Sequence, residues 1–386
     1  MMPRVFPPEA DTGVPVLAWA RQVPPLALRQ LQRLARQPYV VSHVAAMPDV
    51  HVSDGVAVGT VFATAHTVVP GALGNDLGCG VRALRLSAPA SALGRAGLQA
   101  VLQALGRAVP VGDAVHRGRG GPLPPALAGV RLSTQRLQRD VLRLLPRHLG
   151  TLGGGNHFLE LDRDAGDGLW LLVHSGSRGV GAAVAGHHLR VAAALGPAAL
   201  AGLDTRTPEG AACLEDMAWA LDFARANREA LAARALEAVG EALGEEVLAE
   251  RCVDVHHNHA AWEAHGGRTL LVHRKGALGL APGEAGVIPG SMGTASYLVE
   301  GRGEPRAFGS CSHGAGRVLT RTEARERFRP AALAHALRRV VHDVGRLHAL
   351  VEEAPAAYRD IAEVLEDEAD LVTPRLRLTP LAVLKG

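Results

Sequence analysis

A chain of 386 residues with 47% hydrophobic and 20% charged residues holds ample material for a core and excludes disorder as its main theme. Its formal net charge of +3 excludes a protein coated in basic surface. No stretch approaches the ~20 uninterrupted apolar residues of a membrane span, and the N-terminus lacks the apolar segment of a secretory leader, so the expectation is a cytoplasmic protein with no membrane partner. Only two lysines occur, Lys275 and Lys385; the other positive charges are arginines, whose planar forks suit phosphate oxygens, although a coding bias would produce the same usage. Cys79, Cys213, Cys252 and Cys311 lie far apart with no C-x-x-C pair, which argues against a disulfide framework and a zinc ribbon and fits a reducing compartment.

Along the chain, an irregular start leads into a helix over 25–36, where leucines recur at helical spacing. Residues 40–86 are rich in β-branched residues and glycine and predict strands with tight turns. Residues 89–148 return to helix and loop, and the Gly/Pro/Arg-rich stretch 117–125 predicts a mobile surface loop. Short strands are expected at 158–161 and 169–173, then long Ala/Leu-rich helices over 186–201 and 212–250 as a helical layer or insertion. A strand-rich segment over 252–297, a charged helical region over 322–353 and a short tail over 376–386 complete the chain. The expected class is α+β, with a central sheet region and site residues on strand ends and loops. At this length, one large domain with insertions and two intimately packed domains are both open.

The chemistry lies in short glycine-rich polar motifs: Asp76-Leu77-Gly78-Cys79-Gly80, Gly155-Asn156-His157-Phe158-Leu159-Glu160, His174-Ser175-Gly176-Ser177-Arg178-Gly179, His256-His257-Asn258-His259 and Ser312-His313-Gly314-Ala315-Gly316-Arg317. A tight turn between Asp76 and Cys79 can aim carboxylate and thiolate at one point, and a thiolate can bridge two ions. Imidazoles from His157, His174 and His257 could complete two sites sharing that sulfur. Carboxylate and imidazole suit Mn²⁺, whereas thiolate pulls toward Zn²⁺. Taken singly, Cys79 also reads as a small buried residue and His157 as a satisfied strand-end histidine. No P-loop lysine and no K-x-D-G nucleophile is present, so a covalent nucleotide would need a histidine. His313, in a turn where backbone can approach phosphate, is the candidate; a plain loop with a solvent-facing histidine is the alternative. The segment Pro289-Gly290-Ser291-Met292-Gly293-Thr294 reads equally as a phosphate nest or a turn.

Together with Met47-Pro48-Asp49-Val50-His51, the stretch 216–228, His273-Arg274-Lys275-Gly276-Ala277, the stretch 354–358 and the C-terminal 380–386, these motifs resemble the RtcB-type RNA-splicing ligase family. The resemblance spans nearly the whole chain and implies a single large domain over 1–386, with a helical insertion at about 186–250. It implies a ligase dependent on GTP and two Mn²⁺ ions that joins RNA 3′-phosphate or 2′,3′-cyclic phosphate ends to 5′-hydroxyl ends. Asp76, Cys79 and His157 would hold one metal, and Cys79, His174 and His257 the other. His313 would carry GMP. Asn156 and Asn258 would contact the GMP phosphate, Glu160 and Lys385 the guanine, and Ser291, Tyr358, Gly314, Ala315 and Gly316 would surround the nucleotide. Some members of the family use the small protein archease as a partner.

Residues Val52-Ser53-Asp54-Gly55 depart from the aromatic or Gly-Lys-Gly sequences associated with that position, which leaves RNA-end contacts there unassigned. The chain is compact for the family, so RNA repair stands beside tRNA splicing as its role. Two other classes compete: a di-metal phosphoesterase working without GTP, with His313 as proton donor, and a non-catalytic module that binds RNA ends through arginine.

Overall fold

The computed structural model describes residues 2–8, 13–118, 123–129, 131–195 and 200–386. Two antiparallel-rich sheets organise it. The larger has eight strands, in the order Ala249–His256, Gly80–Pro89, Gly168–Ser175, Phe158–Arg163, Val372–Lys385, Ser296–Gly301 and Ala285–Ile288, with Val341–His342 pairing off the path. The smaller has six, in the order Arg4–Phe6, Val16–Ala18, Val40–His51, Val58–Thr64, Arg268–Lys275 and Asn258–His265.

Strand alternation sorts the larger sheet into two faces. Leu84, Leu86, Leu159, Leu161, Leu171, Val173 and Leu384 pack with Val101 and Leu105 of the helix Arg95–Ala108 and with Leu231, Ala235 and Val239 of the 36-residue helix Pro208–Leu243. The alternate residues Val81, Ala83, Phe158, Trp170, Leu172 and Val383 meet Leu333, Leu337 and Leu350 from short C-terminal helices. By the same parity Glu160, His174 and Lys385 project on this second face. The register sets Phe158 beside both His174 and Lys385, so three motifs distant in sequence share one row.

At one of the crossings between the two sheets a single residue intervenes: the strand Ala249–His256 belongs to one, Asn258–His265 to the other, and His257 is the link. Its backbone is held at both ends, its N–H donating to Cys79 O at 2.8 Å and its carbonyl accepting from Gly276 N at 2.8 Å.

Several expectations need correcting. The segment 376–386 is no tail but the end of the 14-residue strand Val372–Lys385, which pairs with Ser296–Gly301 through its first half and with Phe158–Arg163 through its second. Pro374 and Pro380 obscured it; each sits beside a shift of register, where a missing N–H is tolerated. The first long helix begins earlier, spanning Arg178–Leu195, while Thr207 caps the second with Pro208 in its first turn and Gly244 ends it in the left-handed region. The expected helix over 244–250 is therefore loop and strand. The region 322–353 breaks into Arg321–Arg327, Pro330–Ala336 and Leu347–Leu350, with Val341–His342 between the last two, because Pro330 starts a new helix and Val341–His342 is drawn into pairing with Ala382–Val383 of the C-terminal strand. Residues 119–122 of the expected loop and 196–199 beyond the first long helix lie outside the described residues; Pro125 opens the short helix Pro125–Ala128. Among the described residues no helix is long and apolar enough to cross a membrane.

Candidate active site

Gly78 makes the turn that presents Asp76 and Cys79 possible. Its φ is +71°, and an added Cβ would lie 2.9 Å from Ala224 on the long helix. The helix also anchors the turn through polar groups: Arg228, fully buried, donates to Gly78 O at 3.0 Å and Ser175 O at 3.2 Å and is paired with Asp254. One residue earlier, the Asn227 side chain accepts from Gly150 N at 2.7 Å and donates to Gly176 O at 3.1 Å. A single helical turn thus ties together three of the loops that carry motifs.

Cys79 Sγ lies 3.3 Å from His157 Nε2 and 3.3 Å from His174 Nε2. Ligand atoms of these three buried residues all fall within 4.8 Å of one another. Asp76 Oδ2 is 3.2 Å from His157 Nε2, and Arg178 donates to His157 Nδ1 at 3.1 Å, turning the opposite edge of the ring toward Asp76 and Cys79. The His257 ring stacks edge-on against His174 with centroids 5.1 Å apart, and its Nδ1 is buried without a hydrogen-bond partner among the described residues.

Burial, reinforced by neighbouring histidines, holds His174 and His257 well below their ordinary range, so both are neutral imidazoles, the form that ligates metals. Burial would raise Asp76, but the His157 ring and the Arg178 guanidinium outweigh it and keep the carboxyl below its usual range. Burial and Asp76 push the Cys79 thiol well up; a cation is what would draw out its thiolate. A carboxylate, a thiol, neutral imidazoles and an orphaned ring nitrogen make a donor set that fits divalent metal.

His313 follows the short strand Ser310–Ser312 and sits next to this cluster, its ring centroid 4.8 Å from that of His257. Asp49, fully buried in the strand Val40–His51, binds it twice: Oδ2 accepts from His313 Nδ1 at 2.6 Å and from His313 N at 3.1 Å. A carboxylate can only accept, so Nδ1 carries the proton and the lone pair of the neutral ring lies on Nε2. Gly316, at φ +70°, lets its loop close over Asp49, since a Cβ would meet Asp49 O at 2.4 Å.

Of the sequence-predicted site residues, all except His157 line one cavity of about 920 Å³, and His157 lies directly behind Asp76 and Cys79. Gly314, Ala315, Gly316, Ser291 and Asn156 line it beside His313. The Ser291 hydroxyl pairs with Thr294 at 2.9 Å. Asn258 is already partly engaged, donating to Asp76 O at 3.1 Å and accepting from Gly276 N at 3.0 Å. Lys385 Nζ lies 3.2 Å from Glu353 and 5.4 Å from the centre of the Phe158 ring. Tyr358 donates to Glu353 and accepts from Arg317 at 3.0 Å. Glu160, beside buried Asp162, is pushed well up by burial and by that second carboxyl.

Sequence reasoning missed Asp49, Arg228 and Glu353 as individual site residues. Asp49 had a local signal, as the one carboxylate in a strand that is mostly apolar from Val44 to Val50. Glu353 had none: one acid among many in a charged segment, it is selected only by the convergence of Lys385, Arg317 and Tyr358.

Comparison with known proteins adds to this geometry. The family model described as tRNA-splicing ligase RtcB matches residues 30–139 and 132–386. The RNA-splicing ligase RtcB of Escherichia coli K12 is 36% identical over 97% of this chain and 96% of its own length. That of Mycobacterium tuberculosis is 32% identical over 92% of this chain and 100% of its own. The tRNA-splicing ligase RtcB of Nanoarchaeum equitans is 29% identical over 99% and 97%. A match of this extent, on a chain whose dispersed motifs converge on one cavity, means that the protein belongs to the RtcB family of RNA-splicing ligases.

Proposed function

We propose that the chain is a GTP- and Mn²⁺-dependent RNA ligase that joins 3′-phosphate or 2′,3′-cyclic phosphate ends to 5′-hydroxyl ends, in RNA repair or tRNA splicing. The observation that supports it most is the Asp49–His313 pair, with Nδ1 tied at 2.6 Å and Nε2 left as a nucleophile beside the cavity. In this reading Nε2 attacks the α-phosphorus of GTP, an Nε2–P bond forms and pyrophosphate leaves. GMP then passes to an RNA 3′-phosphate oxygen, giving RNA-(3′)pp(5′)G and freeing Nε2. The 5′-hydroxyl attacks the RNA 3′-phosphorus, loses its proton and expels GMP. A cyclic phosphate is first opened by water. Each step is phosphoryl transfer, in which positioning and charge neutralisation carry most of the catalysis.

Asp76, Cys79 and His157 would hold one divalent ion and Cys79, His174 and His257 a second, and bound metal would neutralise charge on phosphate oxygens. Asn156 and the remaining N–H of Asn258 would orient the GMP phosphate, with the Gly314, Ala315 and Gly316 backbone and Ser291 around it. At the far end, Glu160 as carboxylate can accept from guanine N1–H and the exocyclic amine. Adenine lacks that pair of donors, which favours GTP over ATP. Burial and Asp162 favour the protonated acid, so guanine would bind with release of that proton; the Lys385 charge favours the release, with Tyr358 and Glu353 holding the lysine.

The test is incubation with α-³²P-GTP and Mn²⁺, with archease added in a parallel arm, followed by denaturing electrophoresis. The expected result is an acid-labile label, absent with α-³²P-ATP and absent in His313→Ala. Ligation retained in that variant overturns the nucleophile; turnover of cyclic phosphate with no label in any arm favours a GTP-independent phosphoesterase.

A further inference from the structure

We infer that the exposed face of the helix Pro25–Ala35, together with the lip formed by Val52, Ser53 and Asp54, is the track along which an RNA strand leaves the reacting end. The inference rests on the RNA-ligase reading. At the cavity mouth, Leu26, Val52 and Val318 line the opening yet are 56%, 42% and 52% exposed. Apolar side chains held in water at the entrance to a phosphate-handling cavity suit the face of a nucleobase, here as aliphatic surface in the place that aromatic side chains take beside the basic groove of single-stranded nucleic acid sites.

The basic part follows from helix geometry. At about 100° per residue, Arg29 and Arg33 lie within about 60° of Leu26, displaced along the axis by about 4.5 Å and 10.5 Å. Both are exposed, neither has an acidic partner among the described residues, and the helix, Pro-Leu-Ala-Leu-Arg-Gln-Leu-Gln-Arg-Leu-Ala, contains no acid. A strip therefore runs from an apolar patch at the mouth to cations farther out, in the order a strand would need for its terminal base and then its phosphates.

The lip is braced from two sides. Gln30 on the helix donates to Ser53 O at 2.5 Å, and buried Lys275 donates to Asp54 O at 2.6 Å and Val56 O at 2.7 Å. Bracing lowers the ordering cost of binding. Exposed Asp54 at the lip disfavours a phosphate there, which places the base or sugar at the lip and the phosphates at Arg29 and Arg33. The other acid at the mouth, Glu323, is engaged in capping Thr320.

The test measures ligation of a 20-nucleotide RNA over a range of salt concentrations in wild type and Arg29→Glu/Arg33→Glu. We expect KM to rise tenfold or more and the log–log salt slope to shrink by about 1.4, about 0.7 for each of two lost phosphate contacts. GTP labelling should be unchanged. Leu26→Ser/Val52→Ser should raise KM for a normal terminal nucleotide and leave it unchanged for an abasic one. Reversal of the exposed pair Arg139 and Arg143 on Gln135–His148 is the control for a general charge effect. An unchanged KM in Arg29→Glu/Arg33→Glu, or an equal loss in the control, overturns the track. Absence of GTP labelling in wild type would instead overturn the ligase reading itself.

Discussion

Asp49 determines which nitrogen His313 can use. By accepting from Nδ1–H it leaves the lone pair on Nε2, and by accepting from the backbone N–H as well it fixes the ring's position. Asp49→Asn should permit the wrong tautomer and slow nucleotide attachment by about 10⁴-fold, as loss of the orienting carboxylate does in the Ser-His-Asp triad. The rate of label incorporation checks this, with circular dichroism to show that the fold persists; a near-normal rate would remove Asp49 from the mechanism. Glu368 lies against the strand Ser310–Ser312 that leads into His313, fully buried, with Oε2 accepting from Ser312 N at 2.8 Å and Oε1 unpartnered among the described residues. Burial, with Asp49 nearby, pushes it up to about 8 from an ordinary 4.5. The folded protein keeps this proton while the unfolded chain releases it, so between those values stability falls as pH rises, by at most about 1.4 kcal/mol per pH unit. Glu368→Gln should remove that slope, and its advantage over wild type in urea denaturation should grow from pH 5 to pH 8. Parallel pH dependences would mean that Glu368 ionises normally.

At the scale of elements, the helix Pro208–Leu243 both extends the core and anchors the loops that carry the candidate metal ligands. Its apolar side fills the space behind the larger sheet, while Asn227 and Arg228 enter the loops of the motifs. Arg228→Met would take one donor from each of the Gly78 and Ser175 carbonyls and one of the two cations from Asp254, leaving His256 on Gly78 O and Arg82 on Asp254, at a cost of about 1.5–3 kcal/mol. Because Gly78 lies between Asp76 and Cys79, metal content should fall along with thermal stability; a destabilised variant with full metal content would separate the two roles. The existence of this helix was legible from its Ala/Leu periodicity, and so were the strands carrying Glu160 and His174. The strand Val372–Lys385 was not: its prolines mimic a loop ending, and only pairing on both sides shows that they sit at register shifts.

Over the whole molecule, Asp76, Cys79, His157, His174 and His257 come from four separate segments, so they converge only in the folded chain. Metal should then stabilise the fold by mass action, about 2.7 kcal/mol at one hundred times the Kd. Melting with and without Mn²⁺ or a chelator should show this in wild type and not in Cys79→Ser. Equal stabilisation in that variant would place the ion elsewhere. The sequence alone singled out candidate ligands and a candidate nucleophile, since such residue types set among glycines are legible one motif at a time. It also determined the helical and strand character of most segments, because hydrophobic period is local. Only the tertiary structure decided that His257 joins two sheets beside Cys79, that Asp49 holds His313, and that Lys385 reaches Glu353. Each of these depends on strand register and parity between segments distant in the chain, and a shift of one residue would turn the side chain to the opposite face of its sheet.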